Sequence, residues 1–233
     1  MSTVLGSHSD SGMSLPLPSR GVGAQPPGSG MAVLQRLLAP RPKPAGESCE
    51  MCAEPVSPEH SHVVRLDQRK LMCTCRGCAL LFTNSGAGQG RYRAVPDRVV
   101  SDPAFHFDLA RWDQLAIPVG LAFLFTNSTM GQTVAFYPSP AGATESELNA
   151  ESWAEIGQDT PLLAELEPDV EALLLRRTDD GVVCYLVPID ICYELVGLVR
   201  TYWKGFAGGD EVWAAVDELF ARVAARSRPH PRG

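Results

Sequence analysis

The sequence predicts an α+β protein in which an N-terminal, cysteine-rich module of the zinc-ribbon type is followed by an antiparallel sheet packed with helices. Three observations predict this fold class. Two Cys-x-x-Cys pairs lie at residues 49–52 and 75–78, apolar runs form two hairpin patterns within residues 119–187, and two amphipathic helix patterns close the chain.

The bulk composition sets limits on the function. The chain has 233 residues, of which 45% are hydrophobic and 20% charged, as expected for one or two globular domains. Its formal net charge is −7, so we expect no nucleic-acid partner, because such binding relies on lysine and arginine. No apolar run reaches the roughly 20 residues of a membrane span, and no secretory signal is evident. We therefore expect a cytoplasmic protein without a membrane span.

Composition also divides the chain into four segments. The first is rich in Gly, Ser and Pro and is predicted to be a disordered linker, with a short amphipathic helix at residues 31–38. Met1, Met13 and Met31 all remain candidate start sites. The predicted segments are residues 1–45 (linker), 46–93 (metal module), 94–226 (α+β domain) and 227–233 (frayed tail).

The elements of the metal module follow from short alternating patterns. Residues 61–67 and 70–75 predict two strands with a turn at residues 67–69, and residues 84–90 predict a glycine-rich exit loop. A pair of short strands that holds two cysteine knuckles is typical of a zinc ribbon.

The α+β domain is predicted in the same way. Asp108 is expected to cap its first helix and Asp210 its last, and Asp179-Asp180-Gly181 is a strong hairpin turn. The predicted strands are residues 119–125, 133–137, 170–177 and 182–187, and the predicted helices are residues 108–116, 147–156, 161–166, 190–203 and 210–225.

The strongest chemical pattern is a predicted metal site formed by Cys49, Cys52, Cys75 and Cys78. A Cys-x-x-Cys pair directs two thiolates at one ion, and a second pair after 22 residues completes a tetrahedron. The module has too few apolar residues to fold by burial alone, so a structural metal is expected to stabilise it. The alternative is that these cysteines are reduced and packed as small apolar side chains.

Three further residues are alternative ligands. Cys73 lies two residues before Cys75, so both thiols face the same side of a strand. His60 and His62 also share a face if their segment is extended, and the alternative to ligation is that they are exposed loop histidines.

The identity of the ion is a choice between Zn²⁺ and iron. A one-iron rubredoxin site uses the same four thiolates, but its knuckles favour glycine directly after the second cysteine, where φ is positive. Ala53 and Ala79 occupy those positions here, which favours Zn²⁺.

The motifs also resemble those of a bacterial protein family of unknown function. The resemblance covers about residues 45–222 and rests on Cys-Glu-Met-Cys-Ala-Glu-Pro, Leu-Met-Cys-Thr-Cys-Arg-Gly-Cys, Ala-Phe-Tyr-Pro-Ser-Pro-Ala-Gly-Ala-Thr and Leu-Val-Pro-Ile-Asp. Genes of that family accompany [NiFe]-hydrogenase genes. The resemblance therefore implies an accessory role with a hydrogenase subunit or maturation factor as protein partner, and it implies no catalytic residue.

No enzyme motif is evident, so we expect a protein that is not an enzyme. His106 is interpreted as packing, Asp190 as a helix cap, and Cys184 and Cys192 as inert core thiols. The leading hypothesis is a non-catalytic, zinc-binding accessory protein. The alternatives are a rubredoxin-like electron-transfer protein that serves the hydrogenase and, against the acidic charge, a zinc-ribbon nucleic-acid binder.

Overall fold

The computed structural model describes residues 46–115, 117–146 and 160–231. The predicted linker 1–45, its helix 31–38 and the whole of the predicted helix 147–156 lie outside these residues. All described residues belong to one compact unit that extends from Pro44 to Gly233.

The first of two sheets holds the cysteine-rich region. It has three antiparallel strands, β1 (Ser61–Arg65), β2 (Lys70–Thr74) and β3 (Tyr92–Ala94), in the order β2-β1-β3. The two predicted strands are confirmed, and the turn between them ends at Arg69, which has a left-handed backbone (φ 49°). β3 was not predicted, and it crosses the boundary that the sequence places at residues 93/94.

A short helix, α1 (Arg76–Leu80), follows β2 directly. In a zinc ribbon the second cysteine pair lies on a hairpin knuckle, whereas here Cys75 precedes the first turn of a helix and Cys78 lies within it. The region is therefore arranged as a knuckle, a hairpin and a helix. This arrangement differs from the predicted ribbon in its last element.

The second sheet is the larger one and forms the centre of the part of the chain that the structure describes. Its strands are β4 (Val100–Ser101), β5 (Leu121–Asn127), β6 (Gln132–Ser139), β7 (Gly142–Glu145), β8 (Glu171–Thr178), β9 (Gly181–Pro188) and β10 (Arg228–Pro229). The sheet is antiparallel except at one edge, where β10 runs parallel to β4, and its strand order is β10-β4-β9-β8-β5-β6-β7. Both predicted hairpins are confirmed, β5 with β6 and β8 with β9.

Helices cover both faces of this sheet, so the α+β class is confirmed. They are α2 (Leu109–Gln114), α3 (Leu162–Glu165), α4 (Ile189–Tyr202) and α5 (Asp210–Arg226). Successive residues of β8 show the two layers: Ala172 and Leu174 pack with the apolar faces of α4 and α5, whereas Leu173 and Leu175 pack with residues of α2 and α3. Since strand side chains alternate between faces, a strand buried on both faces reads as an unbroken apolar run.

The small sheet shares the core of the large one. Val64 of β1 belongs to the hydrophobic cluster under α4 and α5, and Leu66, Leu71 and Val95 pack against that cluster. The guanidinium of Arg93 also donates a hydrogen bond of 3.1 Å to the Pro168 carbonyl. Apolar burial and this hydrogen bond therefore hold the cysteine-rich region against the large sheet.

The residues at which helices α4 and α5 begin correct two predictions. Asp210 was predicted to cap α5, but Gly209, with a φ of 79°, occupies that position and Asp210 is the first helical residue. Asp190 was predicted to cap α4, but Pro188 does so. Both carboxylates lie in the first helical turn, where negative charge is favourable.

Asp108 is a cap, as predicted, because its Oδ1 accepts a hydrogen bond of 2.8 Å from the Arg111 amide. We expect Asp108→Ala to lower the free energy of unfolding by about 1 kcal/mol, since the Arg111 amide loses its acceptor. Asp108→Asn keeps an acceptor and is the matched control, with an expected change of a few tenths of a kcal/mol. Urea denaturation of both variants checks this, and equal losses would contradict it.

The chain end also differs from the prediction. A frayed tail was expected after helix α5, yet Arg228 and Pro229 pair with β4, and the His230 amide donates a hydrogen bond of 2.8 Å to the Ser101 carbonyl. The His230 ring lies 2.6 Å from a carboxylate oxygen of Glu165. The strands that pair at this sheet edge lie more than 100 residues apart in the chain, so no local sequence pattern indicates the pairing.

None of the helices in the described part of the chain combines the length and the apolar character that a membrane span requires.

Candidate metal centre

The first cysteine pair lies on a tight turn ahead of β1. The amide of Ala53 donates to the Cys49 carbonyl at 2.8 Å, and the amide of Cys49 donates to the Glu54 carbonyl at the same distance. An isolated bridge between Ser48 and Pro55 closes the turn. The turn therefore directs the Cys49 and Cys52 side chains to one side.

The second pair lies at the start of α1. Cys75 is the residue that precedes the helix, and its Sγ accepts a hydrogen bond of 3.4 Å from the Cys78 amide. Thr74, at the end of β2, is fully buried and donates through its hydroxyl to the Ser61 carbonyl at 3.0 Å. The hairpin and the helix thus fix where the second pair lies.

The four sulfur atoms form one group. The Sγ atoms of Cys49, Cys52, Cys75 and Cys78 all lie within 4.8 Å of one another, and those of Cys52 and Cys75 are 3.7 Å apart. A tetrahedral ion with metal–sulfur bonds of about 2.3 Å would place neighbouring sulfurs about 3.8 Å apart. The four predicted ligands are therefore brought together, with a donor set and spacing that fit one metal ion.

The acid–base properties of the group favour a cation at its centre. Burial raises the pKa of Cys49, but hydrogen bonds from the backbones of Cys75, Cys52 and Met51 outweigh it and lower that pKa to about 6. Hydrogen bonds with the Cys52 and Cys75 side chains raise the pKa of Cys78 to about 12. One thiolate thus forms readily and makes the next one harder to form, a conflict that a bound dication removes.

The backbone distinguishes the two cysteine pairs. Ala53, after Cys52, has a left-handed φ of 63°. This is the conformation at which rubredoxin knuckles favour glycine. Ala79, after Cys78, lies in α1 and is helical. The two pairs are therefore not equivalent knuckles.

Opposite effects are expected from glycine at these two alanines. Ala53→Gly should raise the free energy of unfolding by about 0.5–1 kcal/mol, because a left-handed conformation strains an L-residue. Ala79→Gly should lower it by about 1 kcal/mol, because glycine is unfavourable within a helix. Urea denaturation of the zinc-saturated variants tests this, and the same sign for both would contradict the assigned backbone conformations.

The three alternative ligands lie in a different cluster. One ligand atom from each of His60, His62 and Cys73 lies within 4.8 Å of the others, and these residues form a group apart from the four cysteines. Cys73 is opposite His62 in the β1–β2 register. The histidines are not exposed loop residues, because both side chains are largely buried.

Sequence reasoning missed the partner of one of these histidines. The Nδ1 atom of His62 lies 2.8 Å from Oδ2 of Asp190, 128 positions further along the chain. Asp190 resembled a helix cap in sequence, and no local pattern connects the two residues. This cluster also lies near the carboxylates of Glu47 and Glu50. Burial and the negative charges of these two residues raise the pKa of Cys73.

Other residues considered in the sequence lie away from these clusters. Cys184 and Cys192 are buried in the core, as predicted, and burial raises the pKa of each thiol. An apolar cleft of about 500 Å³ lies between the small sheet, β5–β7 and α4, with Phe123, Phe136 and Val196 among its walls. No sequence pattern indicates this cleft, because its walls come from distant segments.

One comparison with known proteins gives a match. A family model described as a family of unknown function (DUF5947) matches residues 48–227, which include both clusters and nearly all of the large sheet. No curated protein and no solved structure matches the chain.

Proposed function

The chain belongs to the DUF5947 family of unknown function, and we propose that it is a non-catalytic, metal-binding accessory protein. The observation that carries the proposal is the group of four cysteine sulfurs within 4.8 Å of one another. Four thiolates leave a tetrahedral ion no open position, which is typical of structural rather than catalytic metals. The metal would join the knuckle before β1 to helix α1.

We propose Zn²⁺ as the ion, with a single iron as the alternative. The second pair begins a helix, and Ala79 is helical, so only one of the two pairs resembles a rubredoxin knuckle. The left-handed Ala53 is the observation that favours iron. A one-iron protein would be red and would bleach on reduction, whereas a zinc protein is colourless.

The surface beside the metal supports a role in protein contacts. Leu80, the last residue of α1, and Leu81 after it are both more than half exposed. Since exposed apolar side chains that lie together favour association, a metal-fixed α1 would present them to a protein partner. The resemblance of the motifs supplies the proposed partner, a [NiFe]-hydrogenase subunit or maturation factor, in the cytoplasm.

The test combines metal analysis with co-purification. We expect elemental analysis of the untagged protein to find zinc, and a hydrogenase subunit to co-purify with the wild type. Leu80→Ser/Leu81→Ser should keep the zinc and lose the subunit, whereas Phe206→Ser, at an exposed apolar residue outside the cysteine-rich region, should keep both. If a strain without this gene makes fully mature hydrogenase, the partner assignment is wrong. A wild-type protein that purifies without metal would contradict the metal-binding role itself.

A further inference from the structure

A second group of metal-ligating side chains lies outside the four-cysteine site. It consists of His60, His62 and Cys73, each with a ligand atom within 4.8 Å of the others. The hairpin explains the grouping: His62 and Cys73 are cross-strand partners, and His60 precedes His62 by two positions. Such residues lie on the same face of a pleated hairpin.

The hydrogen bonds of the two imidazoles leave the same nitrogen free in each ring. Nδ1 of His60 lies 2.9 Å from the Ser57 carbonyl, and Nδ1 of His62 lies 2.8 Å from the Asp190 carboxylate. Because both partners are acceptors, each Nδ1 carries the proton, and each Nε2 presents a lone pair. Neutral histidines that ligate a metal commonly have this second hydrogen bond.

The free nitrogen of His60 is a buried polar atom that lacks a partner. The side chain of His60 is only 7% exposed, and its Nε2 has no hydrogen-bond partner within the described part of the chain. An unpaired buried nitrogen is unfavourable by about 1–3 kcal/mol, so such atoms are rare unless something binds them. A cation held with His62 and Cys73 would satisfy it.

The charges around the cluster also favour a cation. Asp190 contacts His62, Glu47 lies 3.6 Å from His60, and Glu50 accepts a hydrogen bond of 3.0 Å from the Cys73 amide. Lys70 pairs with Glu50 and offsets one of these charges. Two carboxylates remain to balance a dication.

We propose that His60, His62 and Cys73 form a second metal site, which binds a Zn²⁺-class dication through two imidazole nitrogens and one thiolate. Zinc takes such mixed nitrogen and sulfur ligands at about 2.0–2.3 Å. Three protein ligands leave a fourth position for water or an exogenous ligand, unlike the closed four-cysteine site. The second ion is therefore exchangeable, and Asp190 is a positioning residue that orients His62 from outside the coordination sphere.

The test counts zinc ions bound by the full chain. In equilibrium dialysis against excess Zn²⁺, followed by elemental analysis, we expect two ions per wild-type chain. His60→Asn/His62→Asn should bind one, because asparagine can replace the Nδ1 donor but has no counterpart of Nε2. His106→Asn, a histidine outside both clusters, should still bind two. A wild type that saturates at one ion, or a double variant that binds two, would overturn the proposal.

A second readout identifies the ligands directly. The second equivalent of Zn²⁺ should slow iodoacetamide alkylation of Cys73 in the wild type, as followed by mass spectrometry, and should leave it unchanged in the double variant. With Co²⁺ as probe, the first equivalent should give the same all-thiolate spectrum in both proteins. Zinc-independent alkylation of Cys73 would exclude it as a ligand.

Two further variants decide the matter if the double variant does not fold. Asp190→Asn should weaken binding of the second ion by about 10- to 100-fold without changing the first, as expected for the partner of a ligating histidine. Cys73→Ala should bind one ion. Two ions bound by Cys73→Ala, or unchanged affinity in Asp190→Asn, would overturn the second site and leave the four-cysteine site unaffected.

Discussion

Cys49→Ser is expected to release the proposed metal of the four-cysteine site and to cause a large loss of stability. A structural zinc contributes about 10–16 kcal/mol in isolated zinc-finger peptides. The small sheet here is also held by Val64 and its apolar neighbours, so we expect a smaller loss, on the order of 5 kcal/mol. Residues 48–82 should lose amide protection in hydrogen-exchange mass spectrometry, whereas β8 and β9 should keep it.

Cys192→Ala is the matched control for this experiment. It also removes a buried thiol, from α4, but a thiol outside both metal-ligating groups. We expect a loss of about 1 kcal/mol from the space that it leaves, with no change in bound metal. If Cys49→Ser keeps its metal and its amide protection, these four sulfurs do not hold an ion that stabilises the knuckle and α1.

The sequence predicts much of this fold because local patterns specify most of its elements. The turn at Asp179-Asp180-Gly181 specifies the β8–β9 hairpin, and the cap at Asp108 specifies the start of α2. The four-cysteine group is equally predictable, since each knuckle is local and its spacing is typical of metal sites. These features need only a few consecutive residues.

The parts that sequence reasoning missed depend on distant contacts or on backbone conformation. β3 and β10 are short edge strands whose pairing partners lie elsewhere in the chain. Asp190 and Asp210 resembled caps because carboxylates are favourable at the start of a helix. The residues that precede the two helices are instead Pro188 and Gly209. A sequence pattern alone does not distinguish a cap from the first helical turn.

In the second cluster, the sequence indicates which residue types can bind a metal but not that they form a separate site. His60, His62 and Cys73 were considered only as alternative ligands of the four-cysteine site, because the sequence pattern indicates a single site. Their separation depends on the β1–β2 register, which pairs His62 with Cys73. A shift of that register by one residue would turn one of the two side chains to the opposite face of the sheet.

The second large loss of stability is expected at the ion pair between Arg98, which is half-exposed, and Glu171, which is buried. Glu171, the first residue of β8, is fully buried, and its two carboxylate oxygens accept hydrogen bonds of 2.6 and 2.8 Å from Arg98. Arg98→Met should lower the free energy of unfolding by about 3 kcal/mol, because it leaves a buried carboxylate without its counter-charge. This is the lower end of the range for a buried pair, since water reaches the half-exposed arginine. Urea denaturation under zinc saturation measures the loss.

Two further variants test whether the loss of stability comes from the unpaired charge of Glu171 or from the removal of an arginine as such. Arg222 forms a similar pair with Glu194, but both side chains are exposed, so Arg222→Met should cost less than about 1 kcal/mol. Adding Glu171→Gln to Arg98→Met should recover part of the stability, since the amide is neutral and its oxygen still accepts from the Glu167 amide. If the double variant is no more stable than Arg98→Met alone, the penalty does not come from the unpaired charge, and the packing of the arginine stem is the better explanation.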